Sequence, residues 1–215
     1  MLKFKINSWL DASIADYEKI MEIGTDKTLS EAEKDIALIA YLAEVPEEEI
    51  WDLPIEEVRK LREKLLWIST NYNYPKKEFN YKKIKIGDTT CKILTDLQKM
   101  TYAQFVDFQT YIKDMEHKRA EILSVFFIPE GHKYGDGYDI VALQKEIREK
   151  VGITVFSQCF FFFLKKYTAS LNHTAIYLAS MLKVRSWMMK KSNPLKAKYK
   201  ELARIIRGIP KLMYG

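Results

Sequence analysis

The sequence predicts a mainly α-helical protein: a multi-helix bundle with one small β-hairpin, a long central Phe-rich helix and a basic C-terminal helix. Three observations lead there. The run from Ile153 to Lys191 lacks Gly and Pro, and steps of three and four put Phe156, Phe160, Phe163, Tyr167, Leu171, Thr174, Leu178 and Leu182 on one helical face. Helix-start signals recur along the rest of the chain. Only one segment alternates with the period of a strand.

Length and composition set the bounds. A chain of 215 residues, 47% hydrophobic and 13% aromatic with 8 Gly and 6 Pro, can bury a real core and is not of disordered composition. Cys91 and Cys159 have no metal-ligand spacing and read as reduced core thiols in a cytosolic setting. The N-terminus has no apolar signal-peptide core. Lys165 and Lys166 cut the apolar run well below the roughly 18 residues of a membrane span. A soluble protein is expected.

The elements follow in order. Ser13 with Asp16 opens a first helix that Gly24 should stop, with Ile14, Tyr17, Ile20 and Met21 inward. Ser30 with Glu33 forms a capping box for a second, facing inward through Ile36, Ile39, Ala40 and Ala43. Pro46 followed by Glu47, Glu48 and Glu49 places acids at a helix start, where the dipole favours them. Pro54 opens a third long helix through Ser69, with Val58, Leu61, Leu65 and Ile68 as its stripe. These elements form an acidic bundle over 1–70, bounded by the polar stretch 70–75.

A second part spans 76–152. YKKIKIGDTTCKIL alternates around Gly87-Asp88, which suits a two-residue hairpin turn. Ile84, Ile86, Cys91 and Ile93 form its buried face; Lys83, Lys85 and Lys92 point to water. The hairpin must lie against helices or pair with another copy. Thr101 with Gln104 caps a helix carrying Phe105, Phe108 and Ile112 inward, and a further helix through Ala120, Leu123 and Phe127 should stop at Pro129. Asp139 caps the helix that Gly152 ends. The third part, 153–215, holds the aromatic helix, where Cys159 to Leu164 should be buried on most sides, and a basic helix starting at Asn193-Pro194. It is either a separate unit or continuous with the second part.

The sequence offers few groupings of catalytic side chains. His117, His132 and His173 have no partner at ligand spacing, and Asp114 one turn before His117 is too few ligands for a metal. No phosphate loop, dinucleotide glycine pattern or nucleophile elbow is present, and Gly135-Asp136-Gly137 reads as turn chemistry. No cofactor and no enzymatic activity are predicted.

Charge is the strongest signal. The net charge is +6, yet residues 183–215 carry ten Lys and Arg against Glu201 alone, while 29–63 carry eleven acids against four bases. The candidate binding residues are Lys183, Arg185, Lys190, Lys191, Lys196, Lys198, Lys200, Arg204 and Arg207, interleaved with Trp187, Met188, Met189 and Tyr199. That composition suits a phosphate backbone, a membrane surface, an acidic protein groove or a solvated helix face. Acidic-to-basic contacts between neighbouring copies are a further possibility.

One resemblance adds to this reading. The segment IALIAYLAEVPEEEIWDLPIEEVRKLREKLLWIS resembles the N-terminal half of tail-assembly-chaperone-like proteins of tailed bacteriophages. MTYAQFVDFQTYIKD and FFIPEGHKYGDGYDI look like parts of virion-associated or assembly proteins of phages of Bacteroides-type hosts, including crAss-like phages. The likeness covers Ile36 to Ile140. It implies a non-enzymatic virion or tail-assembly protein acting through protein–protein contacts, with other phage structural proteins as partners and a homo-oligomeric state. Its place would be the host cytoplasm during assembly, or the virion. The alternative is a basic DNA-contacting phage protein, packaged with the genome or regulating it.

Overall fold

A computed structural model describes residues 2–69, 79 and 81–166. The chain divides into two compact units, Met1–Tyr167 and Thr168–Gly215, and every described residue belongs to the first. That unit is mainly helical, with a small antiparallel sheet of strand order β1-β2-β3. The expected boundary at 70–75 and the continuation of the aromatic helix beyond 166 lie outside the described residues, as does the predicted basic helix.

The first three expected starts form as the sequence dictates. Ser13 opens α1 (Ile14–Thr25) and Ser30 opens α2 (Glu31–Ala43), each with a complete capping box that satisfies amides left open at a helix start. Pro46 precedes the short α3 (Glu47–Trp51). Gly24 does not stop α1: the helix runs to Thr25, and Asp26 ends it in extended backbone with its carboxylate accepting from Thr28. The inward face of α1 is Ile14, Ile20 and Ile23; Met21 is exposed and Tyr17 half-buried.

The helix opened by Pro54 is shorter than expected. α4 (Ile55–Glu63) ends at Lys64, where the amides of Lys64 and Leu65 bond three residues back, to Leu61 and Arg62. That tightening tucks Leu65 into the core before α5 (Leu66–Ser69) begins.

The hairpin is β1 (Lys83–Ile86) and β2 (Thr89–Ile93), with Gly87 at φ 56° in the turn. Ile86, Cys91 and Ile93 are buried, Ile84 is half-buried, and Lys83, Lys85 and Lys92 are exposed. A third strand, unforeseen, completes the sheet. α7 (Arg119–Phe126) stops at Phe126, and β3 (Phe127–Pro129) pairs with β2, so Phe127 belongs to a strand instead of a helix.

Thr101 opens α6 (Tyr102–Tyr111) with its capping box, but the inward residues are Gln104 and Phe108, while Phe105 is exposed. Gln104 is buried because its side-chain amide donates to the Val125 carbonyl at 2.8 Å. Asp139 caps α8 (Ile140–Lys150) by accepting from Val141 and Ala142. α9 covers 153–166.

Phe156, Phe160 and Phe163 of α9 are buried as the stripe requires, and Cys159 is buried beside them. Phe161 is 46% exposed, so burial there is not all-round. It is α7 that is enclosed on every side: each residue from Ala120 to Phe126 is buried. α9 therefore lies on a core centred elsewhere. The N-terminal segment closes that core: Ile153 donates to Ala12 and Ile14 to Val151, a short antiparallel bridge at the entry to α9.

Candidate functional site

The predicted binding residues, Lys183, Arg185, Lys190, Lys191, Lys196, Lys198, Lys200, Arg204 and Arg207, lie outside the described residues. The surface of opposite charge is described. α3 and α4 are joined through Asp52, Leu53 and Pro54, and each is fixed by one buried residue, Ile50 and Leu61. Acids crowd their first turns because the exposed amides there carry partial positive charge.

Between these two anchors, apolar side chains face outward. Trp51 is 56% exposed and Ile55 83%. Around them in the chain stand the exposed acids Glu47, Glu48, Glu49, Asp52, Glu56 and Glu57. Among the described residues, Glu56 alone of these six has an ion-pair partner, Arg59 at 2.8 Å. A shallow depression of about 210 Å³ lies on α4 between Leu2, Glu57, Lys60 and Leu61. Such a surface offers carboxylates to Lys or Arg and an indole to an apolar or cationic side chain.

Other ionic groups have a different character. Arg148 donates to both Glu121 oxygens at 3.1 and 3.3 Å, and its Nε stands 3.6 Å from Glu18. Arg119 lies 3.6 Å from Glu18 and over the Tyr17 ring at 4.7 Å. Burial pushes the Glu18 carboxyl above its ordinary range, and the two arginines offset part of that push. This cluster joins α1 to α7 and α8. It locks the fold.

Two tyrosine–carboxylate pairs do the same work. The Tyr41 hydroxyl donates to Asp16 at 2.7 Å, where Lys5 also stands at 3.3 Å, and Tyr134 donates to Asp107 at 2.7 Å. Burial and the acceptor carboxylate raise both phenols. Desolvation opposes ionisation of Asp16, yet bonds from Ser13 and Tyr41, with Lys5 nearby, hold it below its ordinary value.

Cys91 and Cys159 are free and buried, as expected. Burial, with Glu146 nearby, pushes the Cys91 thiol up to about 11; burial raises Cys159 as well. Both stay protonated near neutral pH and are poor nucleophiles. His117 bonds Asp114 at 2.7 Å on an exposed turn. Among the described residues no group of three His, Cys, Asp or Glu side chains could hold a metal ion, and no helix is long and apolar enough to cross a membrane.

The exposed pair Trp51 and Ile55 is the feature that sequence reasoning passed over. Ile55 sits in phase with the stripe of α4, but one turn beyond the core that the stripe covers. The available signal was two large apolar residues four apart with acids on both sides. No protein-family model matches the chain, nor does any curated protein or solved structure.

Proposed function

We propose that the chain is a non-enzymatic assembly protein of the tailed-phage type, working through contacts between copies and with other phage structural proteins. The observation that carries this reading is the Trp51–Ile55 surface, apolar, exposed and set among acids with few cationic neighbours. It lies within the segment that resembles tail-assembly-chaperone-like proteins. An exposed Trp is costly for a surface that meets only water, and Trp is enriched among residues that anchor interfaces.

The complementary chemistry is in the same sequence. Residues 183–211 alternate Lys and Arg with Trp187, Met188, Met189 and Tyr199. In this reading the basic segment of one copy meets the acidic surface of a neighbour. A heterologous contact of that kind builds a ring or a filament. Assembly would take place in the host cytoplasm, with the particle as the protein's other location.

A second reading has one observation in its favour, the net charge of +9 over 183–215, which would suit DNA packaged or regulated by the protein. Light scattering after size exclusion, over a range of concentrations and salt, separates the two. Assembly without nucleic acid that Trp51→Ser with Ile55→Ser abolishes supports the protein contact. A monomer at every concentration, gaining mass only with DNA, supports the other.

A further inference from the structure

The outer face of the sheet carries charge that the fold does not call for. The register sets Lys83 opposite Lys92 and Lys85 opposite Thr90, with Ile128 on the far side of Lys92. All three lysines are exposed, and Tyr81, 49% exposed, lies two residues before β1. Like charges directly opposite each other destabilise a sheet. Lys83 is relieved by Glu130 at 2.5 Å; among the described residues no carboxylate stands within ion-pair distance of Lys85 or Lys92.

Edge protection explains only part of this. β1 is an edge strand, where lysine discourages pairing with another chain. β2 is the central strand, hydrogen-bonded on both sides, so Lys92 has no edge to protect. A threonine there would fit the sheet better and would not face Lys83 with like charge.

We propose that this face binds the phosphate backbone of a single-stranded nucleic acid. Residues two apart on a strand stand about 6.6 Å apart, and cross-strand neighbours about 5 Å, so Lys85 and Lys92 stand close enough to meet successive phosphates of one strand, with Lys83 held by Glu130 beside them. Lysine serves such contacts as a point charge. Tyr81 packs edge-on against Phe79 at 5.4 Å and keeps half its surface free for a base to stack on. A protein partner fits less well, because lysine is depleted from interface cores and the patch has no large apolar anchor beyond Tyr81. These residues are separate from the basic segment at 183–211, so this inference does not depend on the proposed assembly contact.

The test uses the full chain and a labelled oligothymidylate of about 16 nucleotides, the upper end of single-strand site sizes. Affinity is measured against salt for the wild type and for Lys85→Gln with Lys92→Gln. The variant should bind several-fold more weakly, with a log–log salt slope shallower by about 1.4, the share of two phosphate contacts. Its denaturation midpoint should stay level or rise, since Lys83 loses a repulsive neighbour. In the wild type, excess oligonucleotide should shield Lys92 from amine acetylation relative to Lys60. An unchanged slope, equal labelling of the two lysines, or no binding by the wild type would overturn the proposal. So would a variant that loses self-association while its oligonucleotide affinity stands, because the face would then meet a second copy.

Discussion

The ring of Phe126, at the end of α7, lies stacked on that of Phe163 in α9, with centroids 3.6 Å apart and planes 7° from parallel. Phe126 also meets Phe108 edge-on at 5.3 Å, and Phe79 lies 6.2 Å from Phe163. One buried aromatic column thus joins α6, α7 and α9. Phe163→Ala should cost about 3–5 kcal/mol in chemical denaturation. Phe161→Ala, two residues earlier and half exposed, should cost under about 1 kcal/mol. Equal losses would mean that the column does not organise the unit.

Glycine positions separate by geometry. Gly87 has φ 56°, and a side-chain carbon there would come within 2.6 Å of Lys150 Nζ. Gly87→Ala should therefore destabilise by about 1 kcal/mol or more. Gly24 sits inside α1 with nothing within 4 Å of an added carbon, so Gly24→Ala should stabilise by about 0.5–1 kcal/mol. Thermal melts of both variants check the pair.

Asp16 and Glu18 have opposite pH signatures. The folded carboxyl of Asp16 is held below its ordinary 3.8, so its contribution is present above that value and lost as pH falls through the folded one. Tyr41→Phe removes one of the bonds and should shallow the loss of stability on acidification below pH 3.8. Glu18 is raised above 4.5, so the folded state holds its proton longer and stability declines as pH climbs from 4.5 through the folded value. Glu18→Gln should flatten that part of the profile. Urea midpoints between about pH 2 and 7 read both effects.

How much was legible follows from range in sequence. Ser13 with Asp16, Ser30 with Glu33, Thr101 with Gln104, and Asp139 each act within three residues, and each helix begins where they say. β3 was hidden because α7 is buried on all sides, which erases the periodicity that would mark where helix becomes strand. Gln104 looked like a cap alone; its second bond, to Val125, is tertiary. The Glu18–Arg148–Glu121 cluster joins residues far apart in sequence and left no local pattern. Trp51 and Ile55 were visible as residues, but only burial could say that they face outward.

The central claim is a contact between the acidic surface of one copy and the basic segment of the next, and charge exchange tests it most directly. One variant carries Lys190, Lys191, Lys196 and Lys198 changed to Glu; a second carries Glu48, Glu49 and Glu57 changed to Lys. Each alone pairs like charge with like and should run as a monomer at concentrations where the wild type assembles. Mixed in equal amounts, the two variants bring every tail against a surface of opposite charge again, so light scattering should report assembly restored, with the two variants present in equal numbers. Two variants that assemble like the wild type, or that stay monomeric when mixed, would contradict the account.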